Sequence, residues 1–86
     1  MDLTFEQMSQ VLEAGRGEHL SRHELFEVLT TSGLDFHIKN IAGRFLLDSG
    51  NLDWRELNII IETCEGSIEE EAREALAQLL HAHEIA

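Results

Sequence analysis

The 86-residue chain contains no proline, no tyrosine, a single cysteine, six glycines and only six lysines and arginines together. Each scarcity excludes something. A lone cysteine, Cys64, cannot build a disulfide scaffold. The glycines are few, and no linker or low-complexity tract is expected. No apolar run approaches the roughly 18 residues that would span a membrane. No basic segment precedes a short apolar one, so no signal peptide is expected. The basic residues Arg16, Arg22, Lys39, Arg44, Arg55 and Arg73 stand singly, where nucleic-acid binding needs them clustered.

Against those six stand 17 acidic residues, for a formal net charge of −11. Such a surface repels phosphate, so neither nucleic acid nor an anionic membrane is an expected partner. It attracts basic surfaces and would steer in a basic partner helix. The same charge also serves to keep a small domain soluble. Apolar residues make up 43%, enough for one core and too many for a disordered chain. The expectation is one domain over 1–86, cytoplasmic.

The punctuation predicts helices. Thr4 with Gln7, Ser21 with Glu24, Asp53 with Glu56 and Ser67 with Glu70 are four capping boxes. Behind the first, Phe5, Met8, Val11 and Leu12 recur at helical spacing until Gly15. Leu25, Val28 and Leu29 follow the second and end near Gly33. Asp35 can cap a third helix through Ile38, Ile41, Ala42, Phe45 and Leu46, broken by Asp48, Ser49, Gly50 and Asn51. Trp54, Leu57, Ile60, Ile61 and Cys64 make one stripe, ended by Gly66. Ile68, Ala72, Ala75, Leu76, Leu79 and Leu80 make the last, with Glu69, Glu70 and Glu71 where the helix dipole favours negative charge. The predicted fold class is therefore all-α. It is a small bundle of about five short helices: a helix–loop–helix over 4–32, a second over 35–64, and a C-terminal helix over 67–83.

Two stretches rhyme. Leu20-Ser21-Arg22-His23-Glu24-Leu25 and Leu52-Asp53-Trp54-Arg55-Glu56-Leu57 lie 32 residues apart, each placing an apolar residue, a cap and a Glu-Leu pair at the same offsets. With Gly50 and Asn51 ahead of the second, the chain resembles a degenerate EF-hand pair over roughly residues 4–64, a single lobe of the calmodulin or myosin light chain type. The resemblance implies that Leu20 and Leu52 meet in a short two-stranded ladder joining the loops. Calcium loops need a succession of oxygen ligands. Ending at Glu56, the ligand places fall on Phe45, Leu47, Ser49, Asp53 and Glu56; ending at Glu24, on Glu13, Gly15, Gly17, Ser21 and Glu24. Neither is a working cage, and no metal is expected. A shortened loop around Asp48, Ser49, Asp53 and Glu56 is the weak candidate.

The remaining reactive side chains form no strong chemical motif. Cys64 lies on an apolar stripe without a base or cation to activate it, which favours a buried structural thiol. His19 and His23 are four apart, but Ser21 reads as a cap between them. His81 and His83 are two apart and cannot share a helix face, and His37 reads as exposed. Asp48-Ser49-Gly50 resembles the modification site of acidic carrier proteins, in which a serine at a helix start carries a phosphopantetheine arm; Gly50 departs from that pattern, where a leucine follows the serine. No triad, paired carboxylate set or phosphate loop is present.

The expectation is thus no enzyme and no cofactor. By its resemblance the chain reads as a noncatalytic protein-binding module, a calcium-independent light chain or adaptor clasping a basic amphipathic helix. Met8, Phe26, Leu29, Phe45, Leu46, Ile59 and Ile60 are the expected groove liners, unless the C-terminal helix covers that face. The alternative is an acidic inhibitor or immunity-type protein blocking a basic enzyme surface. The third is an acyl-carrier-like protein modified at Ser49.

Overall fold

A computed structural model describes residues 4–85, with side chains as far as Ala82. Five α-helices run in order: α1 Phe5–Glu13, α2 Arg22–Thr30, α3 Phe36–Ser49, α4 Trp54–Thr63 and α5 Ser67–Ile85. A 3-10 turn at Gly17–His19, unannounced by the sequence pattern, links α1 to α2. Among the described residues there is no strand, and the fold is an all-α bundle.

Local chemistry starts three of these helices as expected. The side chains of Thr4, Ser21 and Asp53 accept the N–H of Gln7, Glu24 and Glu56, whose own side chains accept the cap N–H at 2.9, 2.8 and 2.9 Å. Each box satisfies two backbone donors that the first turn leaves free. Asp35 occupies the cap position of α3, yet its carboxylate accepts no cap bond. The fourth box does not form. Ser67 is already the first residue of α5, and the N–H of Glu70 donates to the carbonyl of Gly66.

The apolar stripes meet in one core. Met8 and Leu12, Leu25 with Val28 and Leu29, Ile38 with Ala42 and Leu46, Leu57 with Ile60, and Ile68 with Ala72 are all buried at helical spacing, joined by Leu20 and Cys64. The most extensive helix–helix interface is between α4 and α5, and α5 also packs on α3. The C-terminal helix therefore covers that side of the bundle. At Gly43 the approach is close. A Cβ there would stand 2.7 Å from Cys64 Sγ and 2.9 Å from Ile68 Cγ2.

α5 has 19 residues against 10 in α4, so it outruns its partner and leaves Leu80 half exposed at 50%. The molecule is elongated as a result, 43 × 25 × 20 Å.

The two loops are joined differently from the expected ladder. No backbone–backbone hydrogen bond connects the stretch around Leu20 to that around Leu52. Arg22 Nη2 instead donates to the carbonyls of Gly50 and Asn51, both at 3.0 Å, and its Nε lies 3.3 Å from Glu56 Oε2. The backbone explains the exchange. Gly50 (φ 73°, ψ −173°) and Asn51 (φ 57°) are consecutive residues with positive φ. That geometry breaks the extended path a strand needs. The two carbonyls find a guanidinium in place of a partner strand.

Candidate functional site

Two clefts flank the C-terminal end of α3. The first, about 390 Å³, lies between the 3-10 turn, α2 and α3. Its apolar lining is Leu20, Leu25, Phe45 and Leu46, and its polar lining includes Glu18, Arg22 and Asp48. Phe45 lies over Gly17, where any side chain would collide with the ring. The second cleft, about 370 Å³, lies between α3, α4 and α5 and is lined by Leu47, Leu52, Leu57, Ala75, Gln78 and Leu79, with Gly50 and Asn51 on its wall. The Gly50–Asn51 turn thus walls the second cleft while bonded to Arg22, a wall of the first.

Of the seven expected groove liners, Met8, Leu29, Leu46 and Ile60 are buried in the core, while Phe26, Phe45 and Ile59 are half-buried against it. The long groove expected between helices is closed, because the apolar faces of α1 to α4 pack on one another. Of the seven, Phe45 and Leu46 line the first cleft. Trp54 also leaves its stripe. It is 52% exposed, with the Arg55 guanidinium 5.3 Å from its ring centroid. As the first residue of α4 it lies beyond the edge of the core that Leu57 and Ile60 enter.

The weak metal candidates are otherwise engaged. Asp48 Oδ1 accepts from Arg44 at 3.3 Å, the Ser49 hydroxyl donates to the Leu46 carbonyl at 2.7 Å, and Asp53 and Glu56 cap α4. Among the described residues no three His, Cys, Asp or Glu side chains gather as ligands. His23 pairs with Glu27 at 2.8 Å and His19 lies in the 3-10 turn. His81 is exposed, and the side chain of His83 lies outside the described residues. Ser49 closes α3 instead of opening a helix.

Two groups have shifted acidities. Burial pushes the Cys64 thiol up; the Thr63 hydroxyl and the Lys39 charge pull partly back. Hydrogen bonding to Glu71, at 2.7 Å, leads in holding the Arg44 guanidinium in its charged form, above its ordinary value. That pair ties α3 to α5.

The role of Arg22 escaped the sequence pattern, although one signal pointed to it. A cation at the first residue of a helix is disfavoured by the helix dipole, so its place there calls for partners elsewhere. Leu52, Ala75 and Leu79 were legible as apolar but not as walls of one cleft.

No protein-family model, curated protein or solved structure matches the chain. No helix among the described residues is long and apolar enough to cross a membrane.

Proposed function

We propose that the chain is a noncatalytic protein-binding module, an EF-hand-like single lobe that works without calcium, as a light chain or adaptor does, and holds a basic amphipathic helix of a larger protein. One observation carries this reading: uncompensated acidity beside apolar clefts. Three of the six basic side chains are already tied to carboxylates, Arg22 to Glu56, Arg44 to Asp48 and Glu71, and Arg73 to Glu69. With 17 acidic residues in all, most carboxylates have no cation of their own chain to neutralise them. A basic helix would supply both the counter-charge and the apolar side chains. The two helix–loop–helix units, α1 with α2 and α3 with α4, linked by Arg22, support the lobe comparison.

The test is fluorescence anisotropy with a labelled Leu/Lys amphipathic helical peptide and a scrambled peptide of the same composition. Each is titrated with calcium and with chelator, at low and at high salt. The expected result is saturable binding that prefers the amphipathic peptide, weakens but persists at high salt and ignores calcium. Equal binding of both peptides, lost together on adding salt, would favour the second reading, an inhibitor that masks a basic enzyme surface by charge. The exposed carboxylates of Glu70, Glu71 and Glu74 on α5 are the feature that supports that alternative.

A further inference from the structure

We infer that the cleft between the Gly17–His19 turn, α2 and the end of α3 is the anchor pocket of this binding surface, and that it takes one large apolar side chain from a basic helix. The inference rests on the binding-module reading and names its site. At about 390 Å³ the cleft lies near the lower bound of ligand pockets, roughly 300–1,000 Å³. It is too small for a whole helix and suited to a single buried anchor, the usual centre of a protein interface. Leu20, Leu25 and Phe45 supply the apolar lining, and the seating of Phe45 against Gly17 fixes it in advance, which lowers the ordering cost of binding.

Charge selects the occupant. Glu18 and Asp48 line the cleft with side chains 61% and 64% exposed. The cation among the lining residues, Arg22, is already engaged by two carbonyls and Glu56. Asp48 is in turn paired with Arg44 at 3.3 Å, so the free charge of the rim comes from Glu18; it is negative and complements a lysine or arginine beside the anchor. A second copy of this chain is a poor occupant, because each copy carries −11. The cleft between α3, α4 and α5 has no charged lining residue and offers nothing to choose a basic partner over a neutral one.

The test uses the isotope-labelled full chain and the same Leu/Lys helical peptide. Amide shifts are expected to concentrate at Gly17, Leu20, Leu25, Phe45 and Ser49. Two double variants carry an equal change in net charge: Glu18→Lys with Asp48→Lys on the rim, and Glu70→Lys with Glu74→Lys on the solvent side of α5, outside both clefts. The rim pair should weaken binding about tenfold or more and the α5 pair about threefold or less, since a close charge pair counts for more than a remote one. The neutral pair Glu18→Gln with Asp48→Asn should give a smaller loss than the rim lysine pair. Equal losses from the two lysine pairs, or shifts gathered at Leu52, Ala75 and Leu79, would overturn the assignment while leaving the binding-module reading intact. Absence of saturable binding by the unmodified chain would instead overturn the binding-module reading itself.

Discussion

Gly43 lies inside α3, where glycine normally costs about 0.5–1 kcal/mol relative to alanine. Here the balance is reversed. The alanine methyl would press on Cys64 Sγ and Ile68 Cγ2, and overpacking costs about 1–3 kcal/mol. Gly43→Ala is expected to lower stability by about 1–2 kcal/mol net in urea denaturation. Combined with Cys64→Ala it should cost less than the two single changes together, because the second removes the atom the first collides with. Cys64 has a pH signature of its own. Its buried thiol donates to the Lys39 carbonyl at 3.4 Å, and desolvation raises its pKa. The folded state thus holds the proton more tightly than the unfolded chain does. That contribution is fully present below the unfolded thiol's pKa and is lost as pH rises through the folded value. Melting midpoints should fall on the alkaline side of the ordinary thiol range, about pH 8.5, and Cys64→Ala should lack that component of the fall.

Among the elements, the turn from α3 to α4 depends on one side chain from α2. Arg22→Lys keeps the charge but cannot reproduce the fork that reaches two carbonyls and a carboxylate together. The pair with Glu56 is partly exposed, 43% and 24% at the two side chains, so the expected loss is small, about 1 kcal/mol or less. The sharper readout is hydrogen exchange. The amides of Gly50 and Asp53, bonded to the Leu47 carbonyl and the Glu56 carboxylate, should exchange faster in Arg22→Lys while those of Leu57 and Ile60 hold their protection. The helices were readable because their signals are local. Thr4, Ser21 and Asp53 each find their partner three residues away, and the stripes behind them repeat within single segments. Ser67 misled because Gly66 lets the helix begin a residue early. The clefts were not readable, since each joins residues far apart in the chain: Gly17 with Phe45, Leu52 with Leu79. Nor was the link between the loops, because the ladder expected at Leu20 and Leu52 depends on a backbone that Gly50 and Asn51 turn away.

At the scale of the whole molecule, charge and shape act together. The radius of gyration is 13.1 Å, above the roughly 12 Å of a compact domain of this length, because α5 extends past α4. An elongated body spreads its −11 charge, yet self-repulsion still opposes folding. Salt screens that repulsion. The melting midpoint should therefore rise by a few degrees from low to moderate sodium chloride, with about 1 kcal/mol corresponding to about 4–8 °C in a domain of this size. Unchanged midpoints across the series would mean that the acidic side chains are spaced widely enough to be indifferent to one another.

The α4–α5 hairpin, the largest interface in the bundle, joins neighbours in sequence through a connection of only Cys64, Glu65 and Gly66. Contacts between near neighbours require little loop closure before they form, and chains dominated by them fold fast, in microseconds to milliseconds. The absence of proline removes the usual source of a phase lasting tens of seconds. Stopped-flow refolding should show one rapid relaxation and no slow tail, so the chain would reach its folded form soon after its last helix is available to pair.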